Sequence, residues 1–218
     1  MHSRIALAVA PLVVALSCTS GSDVVEENRE AAEAKLALMR NATTAALAEP
    51  VTTPPELPEK LRFSDPPNAY LVHPEWLAVP PQPREHEILT QTNGFITVRN
   101  TLMGTDAATG VADHYRQVYA GFLGVRWLVV VDTASFSGGA KTSDSTFAAG
   151  GVSATLHCVD LEKGGSVGSL PLSAGSSDKV EVVVGDEAAH LSSDVWMNAR
   201  EAVKATLAPL VADGEKIL

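Results

Sequence analysis

The chain has 218 residues, enough for one domain plus an extension, and 45% of them are apolar, an ordinary share for a folded protein. Its 26 acidic and 16 basic side chains leave a formal charge of −10. That excess argues against a nucleic-acid partner, because a phosphate-binding face needs clustered Lys and Arg.

Residues 1–17 read as a leader. One fixed positive charge, Arg4, precedes an unbroken apolar run from Ile5 to Leu16, and the composition turns polar directly after Ser17-Cys18. The run is too short for a permanent bilayer span and has the layout of a secretory signal peptide. Ala15-Leu16-Ser17-Cys18 resembles the lipobox of bacterial lipoproteins, with Ala15 where leucine is usual and Leu16 where a small residue is usual. The resemblance implies cleavage before Cys18, lipidation of Cys18 and a lipid-anchored protein of the bacterial cell envelope. Thr19, rather than aspartate, follows the cysteine, and by resemblance to enteric sorting this implies the outer membrane. Removing Arg4 with the leader makes the mature charge −11, and such an acidic body is kept off anionic headgroups.

Residues 18–22 form a small polar tether. Residues 23–49 then predict a helix, capped by Ser22 or Asp23, with Glu26, Glu27 and Glu30 in its first turns. Its apolar stripe of Val25, Ala32, Leu36, Met39 and Ala46 is thin and Ala-rich, which favours a mostly solvated spacer over a docked or weakly coiled helix. Pro50 ends it. Residues 50–83 hold ten of the thirteen prolines and predict an extended, irregular linker. Tyr70, Leu71, Val72, Trp76 and Leu77 interrupt this zone, and their apolar surface argues that part of it packs along the domain. As free segments, the linker could reach about 100 Å at 3.1 Å per residue and the helix about 40 Å at 1.5 Å per residue.

The folded domain is expected over residues 84–218. Residues 87–90 and 94–98 predict a pair of strands around the turn signal Thr92-Asn93-Gly94. Residues 110–123 predict a helix with Val111, Tyr115, Val118 and Phe122 on one face, ended by Gly124. Residues 126–132 are a β-branched run and predict a central strand. Residues 133–150 predict a long polar loop. Alternation of Val152, Ala154, Leu156 and Cys158 with polar neighbours predicts a half-buried strand, joined by a hairpin turn at 162–166 to a partner at 167–172. A further strand is expected at 180–184. Ser192 and Ser193 would cap a last helix from 194 to about 210, with Val195, Trp196, Ala199, Val203, Leu207 and Leu210 inward. The fold class is therefore α+β: a mainly antiparallel sheet with two helices on one face, preceded by the N-terminal helix and the proline-rich segment.

The chemistry-bearing residues are sparse. Gly164-Gly165-Ser166-Val167-Gly168 fits the Gly-x-Ser-x-Gly pattern of serine hydrolases, with Asp186 and His190 downstream in triad order. A strand follows Ser166 within two residues, however, and a glycine-rich hairpin accounts for all three glycines. Ser137-Gly-Gly-Ala140-Lys141-Thr142 superficially resembles a phosphate loop but has Ala140 in place of the glycine before the lysine. His73, His86, His114, His157 and His190 contain no pair at ligand spacing, and Glu85-His86-Glu87 reads as a solvated patch, so no metal and no cofactor is expected. Cys158 reads as a buried small hydrophobe, and Trp76, Trp127 and Trp196 read as core anchors. The loop at 133–150 is the best candidate for a functional surface.

The stretch from Arg126 to Leu172 loosely resembles small envelope lipoproteins, through Val159-Asp160-Leu161-Glu162-Lys163-Gly164, a resemblance that implies no activity. The leading expectation is thus a non-enzymatic binding or structural role at the membrane, with a protein or polymer of the envelope as partner. The second is a small-molecule binder using the 133–150 loop and a groove between sheet and helices. The third is hydrolysis through Ser166.

Overall fold

The computed structural model describes residues 20–77, 94–143 and 146–218. Four strands form one mixed sheet in the order β1 (Ala69–Val72), β2 (Trp127–Ser137), β5 (Gly151–Asp160), β6 (Gly165–Gly175). β1 runs parallel to β2, with Ala69 opposite Trp127 and Val72 opposite Val130. The two remaining pairings, β2 with β5 and β5 with β6, are antiparallel. A separate two-stranded ribbon, β3 (Ala140–Lys141) and β4 (Phe147–Ala148), projects from the end of β2. The architecture is α+β, as expected.

Alternation along the strands builds two cores, one on each face of the sheet. Tyr70, Val72, Leu128, Val130 and Val159 meet α1 (Gly21–Ala48), α3 (Phe95–Leu102) and α4 (Ala112–Gly124). On that face Phe95 packs edge-on to Tyr70 at 5.7 Å and lies 6.1 Å from Phe122. Ala69, Leu71, Trp127, Val129, Leu156 and Cys158 meet α5 (Glu187–Leu207) on the other face. The helices at 112–124 and 187–207 therefore lie on opposite faces, not on one. A sheet whose central strands are apolar on both sides, as the continuous run Trp127-Leu-Val-Val-Val131 is, needs cover on both.

The largest departure concerns residues 21–77. α1 begins at Gly21, capped by Ser20, whose hydroxyl accepts from Asp23 N while Asp23 accepts from Ser20 N at 2.8 Å. It is not a solvated spacer: Val24, Val25, Ala32, Leu36, Met39, Ala42 and Ala46 are buried against the sheet and α4. Its alanines are what permit the close approach of helix to sheet, so the thin stripe is a packing surface. Lys35 Nζ donates to the carbonyl of Val125, tying the helix to the entry of β2.

The described part of the proline-rich segment, residues 50–77, is not a free linker either. It supplies β1 and the one-turn helix α2 (Pro74–Leu77). It is also pinned at its start: Ser169 N donates to Thr53 O at 2.9 Å. Leu61 lies opposite Val211 in a parallel bridge, donating to Leu210 O at 2.9 Å and accepting from Ala212 N at 3.0 Å. Glu215 closes the same edge by accepting from Phe63 N at 2.7 Å and Ser64 Oγ at 2.8 Å. Proline removes ladder donors but leaves Ala69-Tyr70-Leu71-Val72 free to pair, and their four side chains are fully enclosed. Where this segment crosses β6, Gly168 leaves no space: a Cβ there would sit 2.5 Å from Pro55 Cα and Pro55 N. Gly168→Ala is expected to lower stability by about 1–3 kcal/mol, the range for overpacking a filled site, as measured by chemical denaturation.

Three local expectations are corrected. Residues 95–98, expected as a strand, are helical; Phe95, Val98 and Thr101 face inward at helical spacing, and Gly94 enters the helix at φ 77°. The partner expected at 87–90 lies outside the described residues. Residues 180–184 form no strand. They run exposed from β6 toward α5, with no strand beside them among the described residues, and Val182, Val183 and Val184 face solvent. α5 begins at Glu187, not Asp194, because Leu191 continues the four-residue stripe of Val195, Ala199, Val203 and Leu207 one turn earlier. Ser192 and Ser193 are inside it. Gly138 has no room for a side chain beside it, since a Cβ there would lie 2.0 Å from Ser192 Oγ and 3.1 Å from Ser192 Cβ.

Candidate functional site

The region 133–150, expected as a loop, is half strand. β2 continues to Ser137, and β3 and β4 form a ribbon beyond it. Asp144 and Ser145 at the ribbon's tip lie outside the described residues. Serine and threonine close the ribbon: Thr142 N donates to Thr146 O at 2.9 Å, and Thr146 Oγ1 lies 2.8 Å from Thr142 Oγ1 and 2.6 Å from Ser143 Oγ. The ribbon faces the first turns of α5 across a cleft of about 260 Å³.

Asp178, Lys179, Val180 and Val182 form the third wall of this cleft. They are aimed by α5, because Asp194 accepts from both Ser177 N and Ser177 Oγ at 2.7 Å. Asn198 adds a bond to Gly175 O at 2.8 Å. Lys141 Nζ reaches Glu187 Oε1 at 3.1 Å and joins the ribbon to α5. The Glu187 carboxyl is held below its ordinary value by its own amide N–H first and then by Lys141, with Gly185 N adding to them, against the opposing effect of burial. Lys179 and Asp178 bring one more charge of each sign, over a floor that includes Phe147, Val180 and Leu191. Such a site suits a small ligand carrying both polar and apolar parts. A second depression, of about 380 Å³, lies between the cis Asp65–Pro66 turn and Gln117 and Gly121 of α4.

The hydrolase constellation is not assembled. Ser166 pairs with Val159, which pairs with Leu128 near the start of β2. Asp186 and His190 sit at the N-terminal end of α5, whose Ser192 abuts Gly138 beyond the other end of β2. Nine strand positions separate the two ends, about 30 Å at 3.3 Å per residue. Ser166 Oγ is buried and accepts or donates no hydrogen bond among the described residues. The turn at 161–164, with Gly164 at φ 73°, is the hairpin the glycines suggested.

The remaining histidines are dispersed. His86, with Glu85 and Glu87, lies outside the described residues. His73 is buried at the end of β1, with Nδ1 3.1 Å from Val131 O. His157 is buried on the α1 face, its Nε2 3.8 Å from Asp132 Oδ2. Burial pushes its imidazole below the ordinary value, and Asp132 only partly offsets this. His114 is exposed on α4, beside Tyr115. Among the described residues no three His, Cys, Asp or Glu side chains converge as a metal site, and no helix is long and apolar enough to cross a membrane.

Cys158 lies in the α5-side core, and burial pushes its thiol up to about 12. In a Cys18→Ala protein it is expected to resist a thiol reagent under native conditions and to label fully on denaturation; rapid native labelling would place it elsewhere. Trp76, Trp127 and Trp196 are all buried, as core anchors should be.

One cluster was not anticipated from sequence. Asp160, enclosed at the end of β5, accepts from Arg126 Nη2 at 3.0 Å and from Glu162 N at 2.9 Å. Arg126 stacks over Trp127 at 4.7 Å, and Trp127 Nε1 donates to Glu59 at 3.2 Å. Glu59 also accepts from Asn68 Nδ2 at 3.1 Å. Val159-Asp160-Leu161 carries the signal for Asp160 only in part: a carboxylate at the end of an apolar strand calls for a cation, but the partner is 34 residues away. No family model matches this chain, and no curated protein or solved structure matches it.

Proposed function

We propose that this chain is a membrane-tethered lipoprotein of the bacterial envelope, held by a lipid on Cys18, with a non-enzymatic binding or structural role. The observation that carries the reading is the junction at residues 16–21. The apolar run ends at Leu16, the lipobox-like cysteine follows, and the capped start of α1 comes two residues after it. Every element of the described fold starts after the proposed cleavage site before Cys18, the first of them with its cap at Ser20. Thr19 directs the assignment to the outer membrane by resemblance. The body offers a cleft of mixed polarity and several exposed valines, consistent with binding a protein or polymer of the envelope.

Detergent phase partitioning tests the tether. Mature wild-type protein from a bacterial host is expected in the detergent phase and Cys18→Ala in the aqueous phase; wild type in the aqueous phase would refute the proposal.

A second reading is favoured by the 260 Å³ cleft between the ribbon and α5: a small molecule, bound between Lys141, Lys179 and Glu187. A ligand there raises the melting temperature in a thermal-shift screen, and Lys179→Ala, on the exposed wall, should abolish that rise without changing the unliganded transition.

A further inference from the structure

The reach once expected of residues 23–83 is largely absent, since α1 and residues 50–77 belong to the body. What remains between Cys18 and the fold is Thr19, so whatever path it takes the anchor lies within about 7 Å of Ser20, at 3.3–3.6 Å per residue. Ser20 is itself fixed. It forms an antiparallel bridge with Val111 and the reciprocal cap with Asp23. Gly21 is seated without slack, since a Cβ there would lie 2.7 Å from the Tyr115 ring and 2.9 Å from Ala108 O.

Resting on the reading that Cys18 is acylated, we propose that residues 104–111 are the membrane-apposed surface of the protein, with Val111 at the headgroup–acyl boundary. Val111 is 74% exposed although its backbone is held against Ser20. An apolar side chain fixed beside a lipid anchor has its natural partner in the lipid interface. The loop Gly-Thr-Asp-Ala-Ala-Thr-Gly-Val carries a single charge, Asp106. In a body of charge −11, a surface with one charge meets headgroups at low electrostatic cost. Apposition here sets orientation: α1 and α4 form the layer at the anchor, while the ribbon and the entry to α5 belong to the layer across the sheet.

The test uses the full acylated protein in phosphatidylcholine vesicles containing a spin-labelled quencher lipid. An environment-sensitive fluorophore is placed at Val111→Cys or, as comparison, at Val184→Cys, which is 91% exposed on the segment entering α5. Cys158 is buried and Cys18 acylated, so each label is unique. Both positions are at the surface, so neither substitution threatens folding. The expected result is a blue shift and quenching of the 111 probe on reconstitution, with the 184 probe unchanged. If mass spectrometry shows Cys18 acylated and the 111 probe remains water-like, or both probes are quenched alike, the apposed surface is wrong while the tether stands. If Cys18 carries no lipid, the tether and the apposition fall together.

Discussion

Met39→Ala is expected to destabilise the protein by about 2–4 kcal/mol, the cost of truncating an enclosed methionine and leaving a cavity. Met39 is 0% exposed, in the middle of α1, between that helix and the sheet. Its neighbour Leu38 is 38% exposed, and Leu38→Ala should change stability by less than about 0.5 kcal/mol. For a chain of this size the Met39 variant should melt roughly 5–15 °C lower. The pair of variants separates the two accounts of α1. A solvated spacer would give two equal, negligible effects, whereas a docked helix gives one large and one small. Calorimetry on both decides between them.

Asp160→Ala is expected to cost roughly 3 kcal/mol, at the low end for breaking a buried ion pair because Arg126 remains partly solvated. The Asp160 side chain is 0% exposed and Arg126 29%. Removing the carboxylate leaves the Arg126 guanidinium with Glu162 at 3.2 Å and Glu59 at 4.0 Å, both on the surface, and strips the Glu162 amide of its acceptor. Burial raises the Asp160 pKa, but Arg126 and the amide hydrogens of Glu162 and Lys163 outweigh it and hold the carboxyl below its ordinary 3.8. The sign follows from that depression. The contribution is fully present above the unfolded value and is lost as pH falls through the folded one. The difference in unfolding free energy between wild type and Asp160→Asn should therefore be constant above about pH 5 and shrink progressively below about pH 4. A difference that grew on acidification would contradict the assigned charge state.

Much of the sheet was legible because its signals are local. The run Trp127-Leu-Val-Val-Val131, the alternation into Cys158 and the glycine turn before β6 each state their structure within a few residues, and α4 and α5 announce a helical period. What was not legible depends on partners distant in sequence. α1 carries too narrow a stripe to distinguish docking from solvation until the sheet it meets is known. β1 hides among prolines, and only its parallel pairing with β2, some 58 residues on, makes a strand of Ala69-Tyr70-Leu71-Val72. Ile96, Thr97 and Val98 favour a strand by propensity, yet Phe95 locks into the aromatic cluster with Tyr70 and Phe122, and tertiary packing wins. Val182, Val183 and Val184 favour a strand equally and have no strand to pair with among the described residues. In the candidate cleft, Lys141 and the polar ribbon were flagged by the 133–150 loop. Glu187, Lys179 and Asp178 were not, because they join it only through the path of the chain into α5.

The central claim is the lipid on Cys18, and intact mass of the mature protein from bacterial membranes tests it most directly, beside Cys18→Ala. The expected mature chain starts at Cys18 with added acyl mass, absent from the variant. A mature chain that starts elsewhere, or starts at Cys18 without acyl mass, would contradict it.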